Sequence, residues 1–295
     1  MSTEIINFRA TDGVLNDGYI IKNNFKKIII SIHGMSSNCF KDRDKSIAKK
    51  AYENGFDYFA FNNRGSELVK YIRKNIDEKQ IKLLGGATYE DPIESYHDIK
   101  GAILKAIELG YEEIYLQGHS LGTTKIVYTY NKLKNENSEL IKYVKGIILL
   151  SLIDIPRTLK IFLTTNFEKI LSFAENKEAK KEILDLMPKE SFIHPVSVKT
   201  FLRYAKYNKE INFAQYSNKD YNFEELNNID IPLFMRWGNN NEMIEQQADE
   251  LVEILNKKII NKNKDINFID GADHGYKGKE EILANEIINF LNKGV

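Results

Sequence analysis

The stretch Glu113-Ile114-Tyr115-Leu116-Gln117-Gly118-His119-Ser120-Leu121-Gly122 decides how this chain folds. Its first four residues are a short run with β-branched and aromatic side chains, suited to a buried strand. Residues 121–135 then read as a helix. The G-x-S-x-G at the junction permits a sharp, strained strand-to-helix turn that lifts Ser120 above the edge of a sheet. The amide of Leu121, at the helix start, is a candidate donor to a developing oxyanion. A lone G-x-S-x-G says little, but between a strand and a helix it marks Ser120 as a candidate nucleophile.

Working outward, five more stretches match the strand pattern: 27–32 (KIIISI), 56–61 (FDYFAF), 144–150 (VKGIILL), 232–236 (PLFMR) and 266–269 (INFI). With 113–116 they form a set of six parallel strands. Turn signals at 11–13 (TDG) and 16–18 (NDG) favour antiparallel strands at the start. Helices are expected between the strands: from Asp91-Pro92, where Asp caps and Pro opens the first turn, to Gly110, then over 121–135, 243–256 and 279–292. The expected fold is α/β, a mostly parallel central sheet with helices on both faces.

Residues 155–228 break this alternation. Helical runs lie around 159–174, 177–186 and 198–207, and 11 of the 33 aromatic residues fall in this quarter of the chain. The stretch reads as a helical cap, 155–228, inserted in a core made of 1–154 and 229–295. Phe162, Phe167, Phe201, Tyr204 and Tyr207 are its candidate pocket-lining residues.

Composition bounds the function. The chain has 295 residues, with Lys+Arg 42 balancing Asp+Glu 42. This zero net charge argues against a nucleic-acid partner and a polybasic membrane anchor. No apolar run approaches the ~20 residues that span a bilayer. The lone Cys39 has no partner for a disulfide, and no metal-ligand cluster or nucleotide-binding motif is present, so no cofactor and no metal are expected. MSTEIINFRA shows no basic-then-apolar leader, so a cytoplasmic location is expected.

Two further motifs converge on the same chemistry. Ser31-Ile32-His33-Gly34-Met35 closes the first parallel strand, where a His-Gly pair shapes a loop that brings the Met35 amide over the nucleophile. Gly271-Ala272-Asp273-His274-Gly275-Tyr276 follows the last strand. Of the five histidines, only His274 lies in a glycine-flanked loop at the carboxyl end of the final strand, so it is the candidate general base. His33 and His119 are read as residues that shape the strand ends.

Together with Asn62-Asn63-Arg64-Gly65-Ser66 after the fourth strand, these motifs fall in the order of the alpha/beta-hydrolase superfamily, which the chain resembles over ~1–154 and ~229–295, with 155–228 where that superfamily carries its variable cap. The resemblance implies the alpha/beta-hydrolase fold and serine-hydrolase chemistry. It also implies Gly-x-x-Asp after the strand 232–236, the Asp orienting the histidine. The chain departs from it there: Gly238-Asn239-Asn240-Asn241-Glu242 puts Asn241 in the acid's place. Asn cannot stabilise an imidazolium, so Glu242 is the first candidate, with Asn241 and Asp154 as alternatives.

The expected activity is hydrolysis of a carboxylic ester, or a thioester or amide, of a small or medium acyl substrate, of the carboxylesterase kind. Ser120 would attack, His274 would carry the proton, Glu242 would orient His274, and the Met35 and Leu121 amides would hold the oxyanion. A ligand-binding member without catalysis and an acyltransferase are the alternatives.

Overall fold

The computed structural model describes residues 2–77 and 79–293. Its elements run β1 (Ser2–Arg9), β2 (Leu15–Lys22), β3 (Lys27–Ile32), α1 (Asp42–Glu53), β4 (Phe56–Asn62), β5 (Lys70–Ile76), β6 (Lys79–Gly85), α2 (Ser95–Glu108), β7 (Glu113–His119), α3 (Leu121–Asn135) and β8 (Val144–Leu150). They continue with α4 (Ile155–Leu163), α5 (Phe167–Ala179), α6 (Val198–Ala205), α7 (Glu224–Asn227), β9 (Leu233–Gly238), α8 (Ala248–Lys258), β10 (Lys264–Ile269) and α9 (Glu280–Asn292).

Eight strands form one sheet in the order β1-β2-β4-β3-β7-β8-β9-β10. β1 and β2 pair antiparallel, as do β2 and β4. Every other pairing, from β4 through β3, β7, β8 and β9 to β10, is parallel. Those six strands are the six read from the sequence. Alternate residues of each strand face opposite layers. Ile28, Ile30 and Ile32 of β3 join Phe59 and Phe61 against α2, α3 and α8. Ile29, Tyr58 and Ala60 pack on the other side against α1 and α9. Burial on both faces is why these strands read as continuous apolar runs.

Four expectations need correction. The helix expected from Pro92 begins as a 3₁₀ turn, Pro92–Glu94, with Asp91 accepting from the Ile93 amide, and becomes α-helical at Ser95. The helix expected from 243 starts at Ala248; before it, Glu245 and Gln246 bond Arg157 and Ser217 of the insertion. The run 177–186 is helical only to Ala179, and Lys181 is left-handed (φ 64°) just beyond it. The fourth is the aromatic lining, most of which packs inside the insertion. The β5–β6 hairpin and α1 carried no sequence signal strong enough to be expected.

Within 155–228, α4, α5 and α6 close over an apolar cluster of their own that includes Leu159, Phe167, Ile170, Phe201 and Tyr204. From Phe213 to Leu226 the chain instead packs into the main core beneath the sheet. The helical cluster is bolted to the 88–91 segment: Ser197 N–H and Thr200 Oγ1 donate to Thr88 O at 2.8 and 3.0 Å, and Arg203 pairs with Asp91 at 3.0 Å. No helix among the described residues is long and apolar enough to cross a membrane.

Candidate active site

The β7–α3 turn is built by contact. A side chain on Gly118 would start 2.5 Å from Gly122 O, and one on Gly122 would start 2.3 Å from Ile32 O. Both positions therefore require glycine, and their tightness forces Ser120 to φ 53°, ψ −125°. Ser120 N–H donates to Leu150 O at 2.8 Å, and the side chain is 8% exposed. Ser36, Ser151, Asn241 and Tyr276, on the loops around Ser120, also have positive φ.

The loop after β3 lies against this serine. A Cβ on Gly34 would stand 3.0 Å from Ser120 Cβ and 3.1 Å from His119 O. Ser37 N–H closes a turn onto Gly34 O at 3.3 Å, and Met35 sits inside that turn. Neither the Met35 nor the Leu121 amide donates to a backbone acceptor outside its own element among the described residues. His33 fixes the loop: Nδ1 donates to Gly34 O at 2.8 Å, and Nε2 accepts from Asn63 N–H at 3.2 Å. That pattern needs a neutral ring. Burial, with the charge of Lys125 behind it, holds the His33 pKa down to about 3.

His274 and Glu242 come together from the loops after β10 and β9. His274 Nδ1 donates to Glu242 Oε1. Glu242 Oε1 also accepts from Met243 N–H at 3.0 Å, and Oε2 accepts from Ser151 Oγ at 2.7 Å and Gly238 N–H at 3.0 Å. Burial pushes this carboxyl up, but the bond and charge of His274, aided by Gly238 and Ser151, outweigh it and hold Glu242 below the usual carboxylate range. With Nδ1 committed, the free His274 nitrogen is Nε2. His274 and Ser120 line the same cavity without a hydrogen bond between them, and such bonds often tighten only around substrate.

Asn241 and Asp154 do not meet His274. Asn241 is an exposed left-handed turn residue (φ 54°). Asp154 caps α4 by accepting from Arg157 N–H at 3.1 Å and takes a hydrogen bond from Tyr207 at 3.0 Å. Burial raises its carboxyl to about 6.

Three groups around the site were not singled out from the sequence in these roles. His119 Nε2 donates to His274 O at 2.6 Å, so the β7–α3 turn holds the His274 loop directly, and burial keeps the His119 ring neutral. Ser151, at the end of β8, bonds both Glu242 and the Tyr276 hydroxyl. Tyr276 in turn donates to Arg236 O at 2.8 Å, tying the histidine loop to β9. Ser151's left-handed backbone (φ 54°) is the signature of its role, and nothing in a serine's identity reveals it.

The cavity holds about 540 Å³, a normal volume for a small-molecule site. Gly34, Met35, Ser120 and His274 border it, and Leu159, Phe162, Phe192 and Ile193 come from the helical insertion. Of the five aromatic residues expected to line it, only Phe162 does so. Phe167, Phe201 and Tyr204 face the insertion's own apolar cluster, and Tyr207 is drawn to Asp154 by its hydroxyl. They hold the insertion together rather than contact a ligand. Among the described residues no group of His, Cys, Asp or Glu is arranged to hold a metal.

A parallel sheet flanked by helices, with a strained serine at the β7–α3 turn, defines an alpha/beta-hydrolase. More narrowly, the chain belongs to the lecithin:cholesterol acyltransferase family, whose model matches residues 88–286. Solved structures similar in fold include an esterase of Pyrococcus furiosus, 15% identical over 99% of this chain and 91% of that one, with a TM-score of 0.60. A soluble variant of monoglyceride lipase from Saccharomyces cerevisiae is 14% identical over 97% and 94%, TM-score 0.64. Est1E from Butyrivibrio proteoclasticus, solved with ferulic acid bound, is 14% identical over 96% and 97%, TM-score 0.64. No curated protein matches the sequence.

Proposed function

We propose that the protein is a serine hydrolase that cleaves a carboxylic ester through an acyl-enzyme on Ser120. The observation that carries this reading is the His274–Glu242 hydrogen bond at the cavity that Ser120 borders. Ser120 Oγ attacks the ester carbonyl as its proton passes to His274 Nε2. The C–O bond to the alcohol breaks and that proton leaves with the alcohol. Water, deprotonated by the same nitrogen, then releases the carboxylic acid and restores Ser120. Glu242 holds the His274 tautomer and balances the imidazolium charge. The amides of Met35 and Leu121 hold the tetrahedral oxyanion.

The His274 side chain is 21% exposed, so either water or a second alcohol can reach it. A fluorophosphonate probe tests the reading directly. Labelling of Ser120 that disappears in Ser120→Ala supports it, and a folded protein that leaves the probe untouched refutes it. Transfer to a second alcohol is the other reading, favoured by the family to which the chain belongs. Product analysis with an added alcohol decides between them: free acid dominates under hydrolysis, the new ester under transfer. The insertion's Leu159, Phe162 and Phe192 set the size of the acyl group, which an acyl-length series with nitrophenyl esters would map.

A further inference from the structure

The cavity has two unlike walls. The exit of β8, α4 and residues 192–193 supply Ile153, Leu159, Phe162 and Phe192, all apolar. The loop after β3, the first turn of α1 and the loop after β10 supply Ser37, Lys41, Arg43 and Lys277. Asp42 and Glu280 also line this second wall, but Asp42 is committed to Lys45 at 2.8 Å, outside the cavity. Lys41, Arg43 and Lys277 against Asp42 and Glu280 leave this wall one positive charge in excess, a balance that the Arg43–Asp44 and Lys45–Asp42 pairings leave unchanged.

Arg43 is the unusual member. It is 5% exposed yet borders the cavity. Its Nη2 donates to Asp44 Oδ2 at 3.1 Å, and its Nε is buried with no partner. Its Nη1 donates to no protein group among the described residues and is not fully buried. Asp44 has little left to offer, because its Oδ1 already accepts from Ser31, Tyr58 and Gln117 at 3.0–3.1 Å. A nearly buried guanidinium with donors unspent is costly unless an acceptor arrives, and the acceptors it fits best are carboxylates and phosphates.

Resting on the hydrolase reading, we infer that Arg43, with Lys41 and Lys277, forms an anion subsite, and that the substrate is an ester carrying a carboxylate or phosphate on one side of the scissile bond. The apolar wall takes the other side. The charged end is thus recognised by the hydrolase core itself, and the insertion, with nearly balanced charge, contributes shape.

Paired substrates test this. Monoethyl glutarate is compared with ethyl pentanoate, and the butyrate ester of ethylene glycol phosphate with that of ethylene glycol; the first pair places a carboxylate on the acyl side of the scissile bond and the second a phosphate on the alcohol side. The charged member of at least one pair should be preferred about 10- to 100-fold in kcat/KM, mostly through KM, and added salt should shrink the preference. Arg43→Met should bring that ratio close to one, Arg43→Lys should keep part of it, and Lys277→Ala should reduce it. Free glutarate or phosphate should also raise the Tm of the protein and of Ser120→Ala, and do so less for Arg43→Met, a readout that needs no turnover. Should Arg43→Met not fold, Arg43→Lys and Lys277→Ala carry the same comparison. Neutral esters turned over at Ser120 with neither pair discriminated overturns the subsite and leaves the hydrolase reading standing. A thermal shift that depends on Arg43 in a protein that cleaves no ester has the opposite meaning.

Discussion

Glu242→Gln is the sharpest perturbation of the proposed site, because the two Glu242 oxygens accept only from donors: His274 and Met243 on one, Ser151 and Gly238 on the other. A glutamine must place its NH₂ on one of these sides. Set toward His274, it opposes two N–H groups and drives the histidine into the tautomer whose Nε2 carries the proton and cannot accept one from Ser120. Set toward Gly238, it opposes a single N–H, at about 1–3 kcal/mol, while Ser151 can reverse its hydroxyl and accept. The second setting is the less costly, so the tautomer survives and the charge is what is lost.

That charge is worth about 4 kcal/mol to an imidazolium ~4 Å away at an effective dielectric of ~20. It corresponds to about 10³ in rate. The first setting would cost about 10⁴, the loss typical of a wrong tautomer. Glu242→Gln should therefore lose 10³–10⁴ in kcat/KM on p-nitrophenyl butyrate, about 1–3 kcal/mol of stability, and little KM. Turnover within tenfold of the parent, in a protein folded by circular dichroism, would refute Glu242 as the orienting acid.

The remaining predictions concern the surroundings. The swap Asn241→Asp with Glu242→Ala should stay as inactive as Glu242→Ala alone, since position 241 is exposed and turned away; restored nitrophenyl-ester turnover would contradict the placement. Gly34→Ala puts a methyl 3.0 Å from Ser120 Cβ, so kcat should fall at least about tenfold with only a small change in Tm. Lys125 and Glu90 form a fully buried ion pair, so Lys125→Met alone should cost about 3–5 kcal/mol in urea unfolding, and adding Glu90→Leu should recover most of it. For Asp154, the native carboxyl titrates near 6 against an ordinary 3.8, so the folded state keeps a proton that the unfolded chain releases between these values. Stability contributed by this group is full below pH 3.8 and falls until about pH 6, so Asp154→Asn should gain up to about 3 kcal/mol more unfolding free energy at pH 8 than at pH 4, read from urea unfolding; an equal gain at both would count against a raised pKa.

The parallel sheet was legible because its strands are buried on both faces and read as unbroken apolar runs, as in KIIISI and VKGIILL. The β5–β6 hairpin was not, because it is largely exposed and its apolar residues, Tyr71, Ile76 and Leu84, are interleaved with lysines and arginine. Aromatic residues misled for a related reason. Phe201 and Tyr204 satisfy the same composition whether they line a cavity or fill a small core, and only tertiary packing distinguishes the two. Arg64 illustrates the other side of this. Its place in the Asn-Asn-Arg-Gly-Ser run is visible in sequence, but its role is to join Asp12 and Asp98 by ion pairs at 2.9 and 3.0 Å, which no local pattern announces.

The acid position shows why motif spacing alone could not resolve the site. Gly238 lies so close to Ala272 that a Cβ would start 2.1 Å from its carbonyl. Asn239 then bonds both Asp270 and the Gly271 amide, and Asn240 N–H donates to Ala272 O at 2.9 Å. Residues 238–240 are thus used to hold the histidine-bearing loop against β9. The chain turns back toward His274 at the left-handed Asn241, and the side chain of the next residue, Glu242, accepts from His274 Nδ1. A side chain one methylene longer than aspartate makes up the added reach. The asparagines join the two loops, and the carboxylate that reaches His274 therefore lies one residue further along the chain and is one methylene longer than aspartate.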